Sequence, residues 1–239
     1  MLFDLRSPHR RRVIKTVYVF LALLIGIGLV GFGVGTGTNL NPFSSAGGGG
    51  GAPTGQKIYV NALANAQKKA KASPTNPALW AKVGTAAYTL ATLPTNFDAT
   101  VGYSTYAHTV LDKLKQAWTT YLALAPVKPD ATFAGEVVAA FGTPPPQGTG
   151  IGDYKTAESA QEVVTANSPT LYTEYEYLAY YAYLANEPTR GDLASAKAIA
   201  LAPKSAVKQV RSAMASVKAA AEQRAIGTTG STSTTGATG

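Results

Sequence analysis

Charge disappears from the chain between Thr16 and Gln56, and apolar residues fill the first half of that gap. Val17 to Val34 reads VYVFLALLIGIGLVGFGV. At about 1.5 Å rise per residue this run spans about 27 Å as a helix, close to the hydrocarbon thickness of a bilayer. A helix is also the form that satisfies its own backbone there. After it, residues 36–55 are rich in Gly, Ser, Thr and Asn with a five-glycine run, which predicts a flexible linker. Beyond Lys57 the apolar positions recur at helical spacing as far as Arg224, alanine dominates, prolines punctuate, and no stretch alternates as a strand. The last residues, Gly227 to Gly239, are Thr, Ser, Ala and Gly and predict a disordered tail. The expected organisation is a basic arm over 1–15, a transmembrane helix over 16–35, the linker over 36–55, a helical domain over 56–225 and the tail over 226–239.

The prolines carry a repeat. Pro74, Pro126, Pro169 and Pro203 follow the ends of helical stretches, at separations of 52, 43 and 34 residues. The longer separations contain two loop-like insertions, ATLPTNFDATVGY from Ala91 and GTPPPQGTGIG from Gly142, each placed where two helices of one unit would turn. Within the units, Trp80-x2-Val83-Gly84-x2-Ala87 and Tyr175-x2-Leu178-Ala179-x2-Ala182 share one spacing. Leu114-x3-Trp118-x2-Tyr121-x4-Pro126, Ala157-x3-Gln161-x2-Val164-x4-Pro169 and Gly191-x3-Ser195-x2-Ala198-x4-Pro203 share another. Ala62-x3-Ala66-x2-Lys69-x4-Pro74 repeats the second spacing as a lone helix at the front. Small residues at these positions let paired helices approach, large ones fill the gap to the next pair, and proline ends the helix.

Over residues 57–224 this pattern resembles the tetratricopeptide repeat, whose period is about 34 residues. The fold it implies is all-α: about three repeats in a solenoid, closed by a C-terminal capping helix. The middle unit departs from it, because Glu136 occupies the small-residue position of its first helix. With the segment MLFDLRSPHRRR and the glycine-rich anchor, the whole chain resembles membrane-anchored repeat proteins of high-GC Gram-positive bacteria. In the repeat register the resemblance places Thr85 and Tyr88, then Asp130, Phe133 and Val137, then Glu176, Tyr180 and Tyr183 along a concave groove. That groove is aromatic and apolar with some acid and no Lys or Arg. It suits an extended apolar or basic peptide, to which tyrosine offers area with a polar tip. Six tyrosines, at 172, 175, 177, 180, 181 and 183, crowd one helix; several are expected in the core, yet six cannot all face one side.

Charge sharpens the topology. Of the net +8, much comes from Arg6, Arg10, Arg11, Arg12 and Lys15, opposed by Asp4; the remainder holds 16 basic and 12 acidic residues. A nucleic-acid partner is therefore not expected. The cluster instead acts as a topogenic signal, keeping the N-terminus in the cytoplasm and placing the domain outside. A cleaved signal peptide would have a shorter apolar region and an A-x-A-like site, and TGTNLNPFSSAGG supplies none, so an uncleaved anchor is expected. Gly26-Ile-Gly28-Leu-Val-Gly31 fits a dinucleotide fingerprint in letters only, since an acidic residue is missing twenty positions on. Ala22/Gly26 and Gly31/Gly35 fit close helix packing in lipid instead.

No catalytic constellation emerges, and no cofactor or metal site is expected. His9 belongs to the basic arm, and His108 reads as structural beside Tyr106 and Asp112. Gly148 to Gly152 lacks the Lys-Ser/Thr of a phosphate loop. Glu174 and Glu176 point different ways on a helix. The absence of cysteine excludes disulfides and thiolate ligands. The expected function is a non-enzymatic scaffold near the membrane that binds a protein or peptide, in an export or envelope complex. Its layout is similar to the ancillary subunit of the bacterial Sec translocon. The alternative is an assembly factor of the envelope or division machinery, self-associating through its anchor.

Overall fold

A computed structural model describes residues 55–230, apart from 145 and 146. The basic arm (Arg6, Arg10, Arg11, Arg12, Lys15), the expected anchor with Ala22, Gly26, Gly31 and Gly35, and nearly all of the linker lie outside the described residues. Among the described residues, no helix is long and apolar enough to cross a membrane.

The described region is all-α apart from one small hairpin. Its helices are α1 (Gly55–Ala72), α2 (Pro77–Ala91), α3 (Thr105–Ala123), α4 (Ala131–Phe141), α5 (Tyr154–Asn167), α6 (Tyr172–Leu184), α7 (Pro188–Leu201) and α8 (Val207–Gly230). The starts follow local chemistry. Asn76, Ser104, Asp130 and Asp153 each accept hydrogen bonds from backbone N–H groups of the first turn they cap. Pro77 and Pro188 occupy first-turn positions, where no N–H is needed. The helix α8 ends five residues past the expected domain boundary, so the first part of the presumed tail is helical.

Packing runs in consecutive pairs: α2 with α3, α4 with α5, and α6 with α7. The helix α1 lies against α2 at one end, and α8 against α6 and α7 at the other. Both insertions fall inside pairs, as their sequence placed them. The first was expected to be loop alone, but it forms an antiparallel hairpin of β1 (Phe97–Asp98) and β2 (Gly102–Tyr103). Its reason is local. Asp98 Oδ1 accepts from Thr100 N at 2.7 Å and Val101 N at 3.0 Å, closing the turn, and Gly102 takes a φ of 98°. The side-chain amide of buried Asn96 donates to the Leu90 carbonyl at 2.7 Å and ties the hairpin to α2. Two residues per strand are too few for an alternating pattern to register in sequence.

Two cores divide the array. The larger joins α1 to α5 around Trp118, Phe133, Phe141, Leu90 and Leu111 and reaches Tyr181; the smaller joins α6, α7 and α8 around Ala179, Tyr183, Ala198 and Met214. The helix α6 therefore packs on two sides. That resolves the crowd of tyrosines. Tyr180 and Tyr181 pack toward the larger core, Tyr172, Tyr175 and Tyr183 toward the smaller, and Tyr177 stands 55% exposed.

The candidate binding face on the first helices

The first helices of the successive pairs are α2, α4 and α6. A direct contact joins the first two: the Thr85 hydroxyl donates to Glu136 Oε2 at 2.7 Å. Burial sets the true register between these helices. Val83, Gly84, Ala87, Leu90 and Ala91 are buried on α2, and Phe133, Ala134, Val137, Ala140 and Phe141 are buried on α4 in the same pattern. Ala134 is thus the counterpart of Gly84, and Glu136 does not occupy the small-residue position. The middle unit is offset by two residues from the sequence-based register.

The offset changes what faces outward. Phe133 is 1% exposed and Val137 fully buried, so neither lines a groove. The Phe133 ring meets Trp118 and Tyr121 of α3 edge-on, with centroids 5.4 and 5.3 Å apart. It also lies over Gly84, where a Cβ would come within 2.1 Å of the ring. Asp130 is exposed but serves as a helix cap, its carboxylate accepting from Thr132 N and Phe133 N while its own N–H donates to the Tyr121 hydroxyl at 2.6 Å. Tyr183 is buried against Gly191, and its hydroxyl donates to Asp192 at 2.7 Å. Phe133, Val137 and Tyr183 leave the expected groove, whereas Asp130 stays exposed with its carboxylate committed to the cap. Asp130→Ala is expected to cost about 1 kcal/mol in thermal unfolding, the usual value of an N-cap, without affecting partner capture.

Thr85, Tyr88, Glu176 and Tyr180 keep solvent access, and Glu136 joins them. Tyr88 is half-buried, and its hydroxyl pKa is raised by burial and then by the nearby Glu136 charge. Glu136 itself is held above the usual carboxylate range by burial, reinforced by Asp130 and opposed by the Thr85 hydrogen bond. Burial raises Glu176 as well. The Tyr180 hydroxyl accepts from Thr143 at 3.1 Å, and its ring meets Tyr181 at 5.3 Å. The charge on these helices is lopsided: α4 and α6 carry Glu136, Glu174 and Glu176 with no Lys or Arg, and α2 carries Lys82 alone. Glu174 is turned toward α5, where Gln161 donates to it at 2.8 Å, so Glu136 and Glu176 set the character of the face.

A second charged group went unread in the sequence. Arg190 of α7 lies 3.1 Å from Glu158 Oε1 and 3.7 Å from Glu187, and it also pairs with Glu162. The Glu158 side chain is 2% exposed. The spacing of Glu158 and Glu162, four apart on one helix, was the available signal; their shared partner comes from a different pair. Among the described residues, no group of His, Cys, Asp and Glu is placed to hold a metal ion. His108 is exposed, with its ring 6.4 Å from that of Tyr103.

The described residues thus form an all-α array of paired helices. No protein-family model, curated protein or solved structure matches the chain.

Proposed function

We propose that this chain is a single-pass membrane protein whose tetratricopeptide-like helical array, on the outer side of the cytoplasmic membrane, binds a protein or peptide partner during export or folding. The observation that carries the binding role is the side-by-side placement of α2 and α4 through the Thr85–Glu136 hydrogen bond. Tyr88 and Glu136 on this pair, and Glu176 and Tyr180 on α6, keep solvent access on first helices poor in cations. Half-buried tyrosines lose little side-chain freedom on contact and present both area and a hydroxyl. The membrane placement rests on the uncharged run from Val17 to Val34 and the arginines before it.

The test is photocrosslinking in membranes of the native host, with the reactive side chain at Thr85 or Ala139 on the first helices and at Lys113 or Lys197 on the second. Adducts to an export component from the first pair of positions, and none from the second, are expected. Tyr88→Ala with Tyr180→Ala should lower the yield about tenfold while circular dichroism stays unchanged, since a pair of such anchors is worth roughly 1–2 kcal/mol. Equal adducts from both sets of positions would refute the binding face. Adducts confined to division or wall-synthesis proteins would move the chain to envelope assembly.

A further inference from the structure

The charge of the array is unevenly spread. The first helix, α1, carries Lys57, Lys68, Lys69 and Lys71 and no acidic residue. It packs against α2 and is the terminal helix of the described array, which leaves its opposite side open. At about 100° per residue, Lys57, Lys68 and Lys71 fall within roughly 60° of one another around the helix, and with Val60, Asn61 and Ala64 they fill a stripe of roughly 100°. All six are exposed, whereas Leu63 and Ala70 on the other side are buried in the larger core. Ion pairs among the described residues include those of Lys115, Arg190 and Lys218, none of them on α1. Lysines near the end of α1 also oppose the negative end of the helix dipole, but that effect is confined to the last turn and does not account for Lys57.

We propose that this outer face of α1 docks on the anionic headgroups of the membrane that holds the anchor. The proposal rests on the anchor reading, because it needs the bilayer within reach. A Gly-rich sequence as long as 36–55 has a root-mean-square reach of about 25 Å, which would bring a bilayer at the proposed anchor within reach of α1, the first described helix after it. Lysine stems lie along the apolar rim of the headgroup layer while their ammonium groups meet phosphate. Val60, 38% exposed at the edge of the face, supplies the apolar contact. Docking of α1 fixes the array by one end and leaves α4 and α6 free for a partner.

The chain has no cysteine, so one label reports one place. The full-length protein carrying Ala64→Cys and a polarity-sensitive dye is reconstituted in nanodiscs of phosphatidylcholine, with or without phosphatidylglycerol. The dye is expected to enter the headgroup environment only with phosphatidylglycerol, and to leave it at high salt. Lys57→Gln, Lys68→Gln and Lys71→Gln together should lower the docked-to-free ratio roughly 100-fold, at a few-fold for each lysine near an anionic surface. A dye at Leu193→Cys on α7 should not respond. A response that ignores phosphatidylglycerol, or survives the triple substitution, overturns the proposal. So does an equal response to soluble polyphosphate with plain phosphatidylcholine discs, or one that scales with protein copies per disc, which would assign the face to a second copy. If the chain fails to co-purify with nanodiscs of either composition, the anchor reading itself falls.

Discussion

Replacing Phe133 by alanine is expected to destabilise the protein by about 3–5 kcal/mol, the usual range for emptying a buried phenylalanine site. The ring is 1% exposed and makes edge contacts with Trp118 and Tyr121, which themselves stack at 5.7 Å. It is the wedge between the first pair of helices and α4. The hole left by alanine faces Gly84, which has no side chain to fill it, so the surroundings can close only by moving α4 toward α2. Urea unfolding in detergent, followed by far-UV circular dichroism, measures the loss. A groove residue would behave oppositely, with binding lost and stability kept. Gly84→Ala supplies the complementary measurement. Its Cβ would overlap the ring at 2.1 Å, a conflict worth about 1–3 kcal/mol against a helix-propensity gain of about 1. In a Phe133→Leu background that conflict is relieved, so the two substitutions should be strongly non-additive. Additive losses would mean the ring and Gly84 do not share the site.

The same contact shows where sequence stops being informative. Helix positions were legible because they rest on local chemistry: proline after helix ends and alanine at close approaches. The places of the two insertions were legible for the same reason, since Pro and Gly mark turns whatever packs around them. The register of α4 was not. Counting from Pro126 assumes that α4 enters its neighbours as α2 does. Yet α4 has 11 residues where α2 has 15, and the connection before it is longer. What fixes its position is one ring seated over a glycine 49 residues earlier, a tertiary event with no period of its own. That seat buries Phe133 and Val137 and brings Glu136 beside Thr85 at the surface. The tyrosines of α6 posed the reverse problem. A helix between two cores has no single apolar face, so its pattern resembles a mixed surface although most of its rings are engaged.

Arg190→Met should cost about 2–3 kcal/mol at neutral pH, through the carboxylate it leaves behind. Glu158 is almost wholly enclosed, and Arg190 is the cation within ion-pair distance of it. Losing one partner of a buried pair costs about 3–5 kcal/mol; the lower figure applies because the Arg190 side chain is 46% exposed and partly screened. Burial already holds the Glu158 carboxyl above its usual 4.5, outweighing the attraction of Arg190, with Glu187 and Glu162 adding to the rise. Arg190 sees the same pairing from the favourable side, its own pKa raised by Glu162, Glu158 and Glu187 against the cost of burial. The two directions agree physically: the arginine keeps its proton more firmly, while the enclosed carboxylate remains a net cost. The sign with pH follows. A carboxyl whose folded pKa exceeds its unfolded value binds its proton more tightly when folded, so this contribution favours folding below 4.5 and is lost as pH rises through the folded value. Removing Arg190 raises the folded value further. The deficit of Arg190→Met relative to the parent protein should therefore shrink as pH falls from neutrality toward 4.5. Glu158→Gln, which keeps the shape without the charge, should be close to neutral alone and should recover most of the Arg190→Met loss in the double variant. A deficit independent of pH, or one that Glu158→Gln leaves intact, would mean that Arg190 acts by packing α7 on α5 rather than by compensating a buried charge.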